Sequence, residues 1–462
     1  MKFLFIYPSG RGYRIADKKT FPVTPFSPPL GILYLSSILE NEDHEIDIID
    51  FTAENVDEST LKDRIFNADA IGISIGSHSC DQVKNLTQFI RECDKDIPLL
   101  IGGPHCTLLP KESLVDYKAD ICIAGEGEPV INSISNYLIG KEKLSNIPGL
   151  YYWENGKIKQ TGPYQIIKDL DKLVFPARHL VEKYDYGYFG GEKLMKGKTT
   201  GIITTRGCPY HCTFCGYGAI YSQYHERSVD NVMKEFDEIV SQGYQTVAIV
   251  DNNFLANKKR AEKIMDQIIQ KKMGINIWIL GVRVDSVDRK IWEKMRDAGV
   301  EFLSFGIESG NQEILDYYHK RITLEQIKKA INLSKEMGFL ASGSFVIGAP
   351  IETEKNIRKT IEFAKTLPLD VAHFMVLSYV YGSPLWKDGV EKGLIHPEEY
   401  GLYANSSRGL GNFSEDELKR FCRIAYRHFY FNPQYIRNQI IHILKTRDLH
   451  LIKIGLKMFT LH

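Results

Sequence analysis

The chain has 462 residues, enough for about three domains of ordinary size. Its 43% hydrophobic and 25% charged residues are typical of a globular protein, and the formal net charge of +0 excludes an overall electrostatic attraction to nucleic acid. No apolar run reaches the roughly 18 residues that span a bilayer, so we expect a cytoplasmic protein whose eight cysteines stay reduced.

Residues 1–145 alternate short β-branched runs with amphipathic segments. This alternation predicts an α/β domain with a doubly wound, Rossmann-like parallel sheet. Because ligands of such sheets bind beyond the carboxyl ends of the strands, the Gly- and Ser-rich turns that follow these runs predict a pocket at that edge. The predicted strands are KFLFIY, EIDIID, AIGISI, PLLIGG and DICIAG.

Residues 146–198 are predicted to form a linker with a hairpin, since WENGKI carries the Asn-Gly signal of a tight turn. A second series of strand and helix patterns covers residues 199–384. Six such units, rather than eight, predict a partial, open (β/α)6 barrel whose chemistry lies on loops after the strands. Residues 385–462 are predicted to be a helical C-terminal region. The predicted barrel strands are TGIITTRG, TVAIVDN, NIWILGVR, EFLSFGIESG, SGSFVIGAP and AHFMVLSY.

Three cysteines follow the first predicted barrel strand as C-x3-C-x2-C, at Cys208, Cys212 and Cys215. Zinc sites commonly use four ligands, and His211 or His225 could complete a Cys3His set. Three soft thiolates on one loop also suit an iron–sulfur cluster, which four cysteines normally hold. A cluster held by three would keep one iron open to a substrate.

The cysteine motif, with Phe214 before its third cysteine, resembles the signature of the radical S-adenosylmethionine (SAM) enzymes. The resemblance implies a [4Fe–4S] cluster on Cys208, Cys212 and Cys215, with SAM on the remaining iron. It also implies reductive cleavage of SAM to a 5′-deoxyadenosyl radical. The electron would come from a donor such as flavodoxin or ferredoxin.

Later strand ends resemble further SAM-binding motifs of this family. The resemblance places DNN near the methionyl group, an arginine near a carboxylate, GIESG near the ribose and GSFVIGAP near the adenine. Tyr379 and Tyr381 end the sixth strand and are candidates to face the substrate, with a place in the core as the alternative. The implied SAM residues are Phe214, Asp251, Asn252, Asn253, Arg283, Glu308, Ser309 and Gly348.

The N-terminal region resembles the cobalamin-binding domain of class B radical SAM enzymes, on PPLGILYLSSILE, IGGPHCTLLP and IAGEGE. The D-x-H-x-x-G motif that supplies a cobalt-ligating histidine in mutases is missing. The resemblance therefore implies cobalamin bound without that histidine, with loss of cobalamin as the alternative. The implied cobalamin residues are Pro28, Leu30, Gly31, Ser74, Ser77, Gly102, Gly103, His105, Glu126, Gly127 and Glu128.

The resemblance implies an enzyme that acts on an unactivated C–H of a small molecule or lipid, with C-methylation as the leading interpretation. A radical SAM cyclase or ring-forming enzyme of tetrapyrrole, hopanoid or archaeal-lipid type is the alternative, and a non-catalytic cobalamin or iron–sulfur sensor is a remote one. A methylthiotransferase is disfavoured because no basic nucleic-acid module follows the barrel. The cysteines outside the motif also lie on separate predicted elements, at Cys80, Cys93, Cys106 and Cys122.

A basic amphipathic helix is predicted over residues 435–459. Such a helix can lie on a membrane surface, where a lipid substrate would be favoured, or pack on the barrel as a lid. Asp448 is its lone acidic residue. Its predicted apolar face is Ile440, Leu444, Ile452, Leu456 and Phe459, and its basic residues are Arg437, Lys445, Arg447, Lys453 and Lys457.

Overall fold

The computed structural model describes residues 1–9, 25–221 and 223–460, excluding the side chains of 445, 446 and 458–460. The chain divides into two compact units, Met1–Tyr186 and Gly187–His462. The predicted α/β architecture is confirmed: each unit is built on a mainly parallel sheet.

The first unit holds a seven-stranded sheet in the order β2-β1-β3-β4-β5-β6-β7. Its first five strands are parallel, and the order reverses at β1, between β2 and β3. In doubly wound sheets this switch point is where ligands bind. The strands are β1 Lys2–Tyr7, β2 Glu45–Asp50, β3 Ala70–Ser74, β4 Leu99–Gly102, β5 Ile121–Ile123, β6 Leu150–Glu154 and β7 Lys157–Gln160. The helices are α1 Leu30–Glu40, α2 Glu58–Phe66, α3 Cys80–Cys93, α4 Pro104–Leu108, α5 Pro110–Asp116 and α6 Ile131–Leu138.

The hairpin predicted at WENGKI forms, but it extends the first sheet instead of standing in a linker. Asn155 and Gly156 have φ values of 51° and 72°, the left-handed conformation that a tight hairpin turn requires. Strand β6 pairs antiparallel with β5. Further along, Tyr186 donates a hydrogen bond to the buried Asp50 carboxylate at 2.9 Å. The first unit therefore extends well beyond residue 145.

The second unit contains the predicted open barrel, a six-stranded parallel sheet whose strands follow chain order. Its strands and the short pairs around it are β8 Tyr188–Phe189, β9 Glu192–Lys193, β10 Thr199–Ile202, β11 Thr205–Arg206, β12 His225–Glu226, β13 Thr246–Ile249, β14 Asn276–Val282, β15 Val300–Glu308, β16 Leu340–Ile347, β17 Val371–Val376, β18 Ser378–Tyr379 and β19 Leu402–Tyr403. The helices are α7 Tyr217–Ile220, α8 Val229–Ser241, α9 Lys258–Lys271, α10 Arg289–Asp297, α11 Gln312–Tyr317, α12 Leu324–Glu336, α13 Glu354–Thr366, α14 Pro384–Glu391, α15 Glu415–Tyr430, α16 Pro433–Thr446 and α17 His450–Thr460.

Aromatic side chains fill the barrel near the start of its strands. The Trp278 ring stacks on Phe302 with centroids 4.1 Å apart, and Phe189 packs edge-on against Phe302 at 5.1 Å. Both Trp278 and Phe302 are buried. Because apolar side chains fill this end of the barrel, the polar side chains lie at the carboxyl ends of the strands.

Helix α15 covers the exposed edge of the barrel sheet, because two of its tyrosines replace the missing strand. The Tyr426 hydroxyl accepts from Phe374 N at 3.1 Å and donates to Phe374 O at 3.2 Å. Tyr430 does the same for Ala372 at 3.1 Å in both directions. Four residues of a helix rise about 6 Å, which is close to the length of two residues of a strand. Hydroxyls four residues apart on the helix therefore match the outward-facing backbone groups of alternate strand residues.

The predicted C-terminal helix is instead two helices, α16 and α17. The first of these helices ends at Arg447, whose φ of 57° is left-handed. The predicted side chains Lys445 and Phe459 lie outside the described ones. Throughout the described residues, no helix combines the length and apolar character needed to cross a membrane.

Replacing Tyr426 or Tyr430 with Phe should destabilise the second unit by about 1 to 3 kcal/mol, because each hydroxyl satisfies a buried backbone N–H and C=O. The check is the free energy of unfolding in urea. Tyr403→Phe, at an exposed tyrosine of the same unit, is the matched control. Equal stability of Tyr430→Phe and the control would refute the edge-covering role.

Candidate active site

Four polar or glycine positions predicted to bind SAM lie where neighbouring barrel strands end. Asp251 follows β13, Arg283 follows β14, Glu308 ends β15 and Gly348 follows β16. The three cysteines lie on the segment after β10, the next strand in the same sheet. The parallel sheet thus brings all of these positions to one edge, as the sequence predicted.

Asp251 supports the start of the cysteine segment rather than presenting a free carboxylate. Its Oδ1 accepts from the backbone N–H groups of Thr204 and Thr205 at 2.6 and 3.1 Å. Its Oδ2 accepts from the Thr204 hydroxyl. Burial raises the pKa of this carboxyl, whereas these hydrogen bonds favour its charged form. Removing the carboxylate would leave three buried donors without an acceptor.

Two buried arginines extend this support. Arg260 donates to Thr204 O at 2.9 Å and to Arg227 O at 2.7 Å. Arg227 in turn pairs with the fully buried Glu235 and donates to Ile203 O at 2.8 Å. Each buried charge therefore has a partner, which is the condition under which buried ions are tolerated.

The cysteine loop, residues 207–224, is closed at its base by the antiparallel pair β11–β12. Gly207 has a φ of 81°, and a Cβ added there would lie 2.3 Å from Gln223 O, so only glycine fits this close crossing. The middle of the loop is held by Thr213, whose N donates to Tyr318 O at 3.0 Å and whose O accepts from Leu385 N at 2.8 Å. The Phe214 ring packs edge-on against Tyr318 at 4.9 Å. The loop is thus fixed at both ends and in the middle.

The three cysteine side chains are half-buried. Burial raises the pKa of the Cys212 thiol, and the nearby Lys320 and Arg283 counteract that effect. Burial likewise raises the pKa of Cys215, against the hydrogen bond from the Tyr217 backbone. Three soft sulfur donors beside two cations suit an iron–sulfur cluster with a net negative charge. Among the described residues, no three His, Cys, Asp or Glu side chains are arranged to hold a single metal ion.

Arg283 is held rigidly beside the cysteine loop. Its Nε and Nη2 bind Asp285 at 3.0 and 2.9 Å, and Nη2 also donates to Lys320 O at 2.7 Å. Its guanidinium lies 3.7 Å from the centre of the Tyr210 ring, in the loop between the first two cysteines. The carboxylate that Arg283 meets here is therefore Asp285, and the cation–π contact fixes the loop to the strand end.

Glu308 forms a buried ion pair with Lys320 at 2.6 Å. Its φ of 66° is uncommon for a residue with a side chain and marks local backbone strain, which is common at functional sites. A Cβ on Gly306 would lie 2.5 Å from the Glu308 Oε1 and 2.8 Å from the Lys320 Nζ. The glycine in GIESG therefore leaves the space in which this ion pair forms.

The turn after β16 is closed by Glu352, a fully buried carboxyl. Its Oε2 accepts from Gly348 N at 2.6 Å and Ala349 N at 3.2 Å, and its Oε1 has no partner among the described residues. Burial raises the pKa of Glu352 to about 7. A Cβ on Gly348, whose φ is 113°, would lie 2.9 Å from the Leu418 side chain. The turn thus has both a fixed shape and a titrating group near neutral pH.

The remaining residues predicted to bind SAM or substrate differ in their burial and in their hydrogen-bond partners. Ser309 is fully buried and contacts the Thr360 hydroxyl at 3.0 Å, so its hydroxyl is already engaged within the protein. Asn253 is buried with an unpartnered Oδ1 among the described atoms, which suits a ligand contact. Asn252 reaches Gly207 O at 3.5 Å. Tyr379 is buried, and the Tyr381 ring packs on Trp386 at 4.3 Å.

The predicted cobalamin residues lie at the carboxyl edge of the first sheet. Gly31, in the first turn of α1, is exposed, and a Cβ added there would meet none of the described atoms within 4 Å. Glycine disfavours a helix by about 1 kcal/mol, and packing among the described residues does not require it, so this open position fits the approach of a large flat ligand. Gly103 is different, because a Cβ there would lie 2.9 Å from Ile75 N.

Other predicted cobalamin residues at this edge contact groups within the first unit. His105 is buried 3.6 Å from the Cys80 sulfur, and burial lowers the pKa of the imidazole to about 4. Glu126 accepts from Ile167 N at 2.5 Å. A cobalamin contact for either side chain stays a prediction. The further candidates around this edge are Pro28, Leu30, Ser74, Ser77, Gly102, Gly127 and Glu128.

Sequence reasoning missed four residues that build the site. Arg260 and Tyr318 lie on or after helices, where their patterns are those of ordinary amphipathic segments. Lys320 follows α11 and reaches Glu308 only through the fold. Glu352 had a detectable signal, since it lies four residues after Gly348 and two after the end of the GSFVIGAP motif.

Asp251→Ala should lower the iron and sulfide content of the anaerobically reconstituted protein severalfold, because three buried donors at the base of the cysteine loop lose their acceptor. Iron, acid-labile sulfide and the visible absorbance of the cluster measure this. The control is Asp237→Ala, which removes an exposed partner of Lys271 in the same unit. Full iron content in Asp251→Ala would mean that the carboxylate does not position the loop.

Glu352→Gln should change the pH dependence of stability. A buried carboxyl whose pKa is raised to about 7 binds its proton more tightly in the folded state, so wild-type stability falls as pH rises from about 4.5 to 7. The glutamine variant lacks this loss, and its stability relative to wild type should improve by up to about 3 kcal/mol between pH 5 and pH 8. Urea unfolding at both pH values, with the exposed Glu354→Gln as control, measures it. An unchanged difference between the two pH values would contradict the assignment.

Comparisons with known proteins give one family match within each of the two units. The family model described as the Radical SAM superfamily matches residues 202–364, and that of the B12 binding domain matches residues 22–134. An uncharacterised methyltransferase of Pyrococcus horikoshii is 30% identical over 448 residues, 95% of each chain. The anaerobic magnesium-protoporphyrin IX monomethyl ester cyclase of Rubrivivax gelatinosus is 24% identical over 455 residues, covering 95% of this chain and 79% of that protein.

A solved structure supports the fold at greater sequence distance. The cobalamin-dependent S-adenosylmethionine radical enzyme OxsB, with aqua-cobalamin bound, superposes with a TM-score of 0.70 at 16% identity. The match covers 98% of this chain and 72% of that one. From the two domain matches and the full-length relative, the chain belongs to the class B, cobalamin-binding family of radical SAM enzymes, whose cofactors are a [4Fe–4S] cluster, SAM and cobalamin.

Proposed function

We propose that this enzyme methylates an unactivated carbon of a small molecule or lipid. The observation that carries the proposal is the relative named a methyltransferase, which matches 95% of both chains at 30% identity and so spans both units. The cysteine loop and the B12-binding unit supply the two sites that such a reaction needs. The proposed methylation requires both sites together.

The residues present fit the three cofactors. Bound together, the cofactors supply one-electron reduction of SAM, a carbon-centred hydrogen abstraction and a transferable methyl group. We assign Cys208, Cys212 and Cys215 to the cluster and Asn253, whose Oδ1 has no partner among the described residues, to SAM. The open helix turn at Gly31 is assigned to cobalamin. The cysteine motif supplies three thiolates, so one iron is left for a ligand from outside the protein.

The chain's own contribution is positioning. The Glu308–Lys320 pair fixes a carboxylate at the strand end where the family binds ribose, and Lys320 stabilises negative charge near Cys212. Arg283, bound to Asp285 and stacked on Tyr210, holds the loop against β14. Groups fixed in this way need little reorganisation when charge changes at the site, which is how preorganised sites favour reaction.

A ring-forming reaction without methyl transfer is the second candidate. It rests on the Rubrivivax gelatinosus relative, named a cyclase, whose match also covers 95% of this chain. The barrel residues do not separate the two reactions, because both begin with hydrogen abstraction from carbon. They differ in whether a methyl group leaves SAM.

The partners of the proposed reaction are a small-molecule or lipid substrate and a one-electron donor of flavodoxin or ferredoxin type. The half-buried cysteines leave the cluster site partly open at the protein surface, which suits electron delivery from outside. The electron donor supplies one electron for each SAM cleaved.

Incubation of the reduced, reconstituted protein with SAM should yield both 5′-deoxyadenosine and S-adenosylhomocysteine, because hydrogen abstraction and methyl transfer consume SAM in different ways. Liquid chromatography with mass spectrometry quantifies both. The variant C208A/C212A/C215A should form no 5′-deoxyadenosine. Formation of 5′-deoxyadenosine alone by cobalamin-loaded wild type would favour the cyclase. Absence of both products from cluster-loaded protein would contradict the assignment as an enzyme.

A further inference from the structure

The outer face of α16 is apolar, although surface helices are normally polar on that side. Ile436, Ile440 and Leu444 follow one another every four residues and are 42%, 50% and 78% exposed. On the opposite side, Tyr435 and Gln439 are buried. Side chains four apart share one helix face, so this aliphatic row (Ile436, Ile440 and Leu444) runs along about 12 Å of surface.

The surroundings widen the apolar area. Ile441 and Leu449 are also exposed, at 39% and 52%. Single exposed apolar residues are ordinary, but a contiguous group of them marks a surface that contacts something other than water. The aliphatic row with Ile441, which lies three residues before Leu444 on the same helix, is such a group.

The charges on the C-terminal segment that carries the aliphatic row, residues 431–457, are almost all positive. Arg437, Arg447 and Lys453 are exposed. Between residues 431 and 457 the sequence has one carboxylate, Asp448, and that side chain accepts from His450 N at 2.8 Å. A cationic margin around an aliphatic centre is complementary to a surface with apolar chains beneath anionic groups.

The helices are anchored so that this face points outward. Glu192 binds both His450 and Lys457 of α17, at 2.9 and 2.5 Å. Leu451 and Ile454 of the same helix are buried against the unit. At the start of α16, Asn432 donates to Lys365 O at 2.9 Å. The inner faces are therefore committed to packing, and the aliphatic row is left outside.

We propose that this face docks on an anionic lipid bilayer, with the aliphatic row in the interface and the basic side chains at the headgroups. A second copy of the chain fits less well, because a twofold contact would bring the cations of one copy against those of the other. The inference concerns where the enzyme works and does not depend on the reaction proposed above.

The test is co-sedimentation of the full-length, anaerobically purified protein with vesicles. We expect binding to phosphatidylcholine vesicles containing roughly one-third phosphatidylglycerol, and much less to phosphatidylcholine alone or in high salt. The variant I440S/L444S should lower the bound fraction about tenfold, because two apolar side chains no longer enter the interface. The variant R437Q/K453Q should lose the preference for anionic vesicles. Phe66→Ser, at an exposed apolar residue of the first unit, should bind like wild type.

Light scattering and thermal unfolding accompany the binding measurement. Unchanged melting of I440S/L444S, together with its loss of binding, supports the proposal, since exposed side chains contribute little to folding. Wild type that ignores anionic vesicles would overturn it, as would equal binding by I440S/L444S. A wild-type dimer that this variant dissociates would also overturn it, in favour of a second copy.

Discussion

The buried Asp251 carboxylate is the contact on which the barrel site depends most. It accepts two backbone N–H groups and a hydroxyl from Thr204 and Thr205, which join β10 to the cysteine loop. Arg260 donates to the backbone O of Thr204. A loop that must hold three thiols in one geometry needs such a base. The barrel supplies that base from the end of a neighbouring strand.

The same logic explains the role of the other strand ends. Arg283, Glu308 and Glu352 each form bonds that fix backbone or a cation beside the cysteine loop. Arg283 and Glu308 are charged and buried, an arrangement that is stable only when every charge has a partner. Folding stability and site geometry therefore depend on the same contacts. A substitution at one of them should be expected to affect both.

The sequence predicted most of the architecture because its signals are local. The alternation of strand and helix patterns, the Asn155-Gly156 turn and the cysteine spacing each involve a few neighbouring residues, and the structure contains the corresponding elements. Contacts between distant segments carried no such signal. The Glu308–Lys320 pair and the cover of β17 by Tyr426 and Tyr430 join positions 12 or more than 50 residues apart. The break at Arg447 was missed because the apolar spacing runs on through it.

The central claim is that one chain carries both an iron–sulfur cluster and cobalamin. Anaerobic purification followed by iron analysis, visible spectroscopy and mass spectrometry of the released cofactor tests it directly. We expect about four irons and one cobalamin per chain, with the iron alone lost in C208A/C212A/C215A because the two sites lie in separate compact units. Iron-replete protein that neither retains nor binds added cobalamin would contradict the claim.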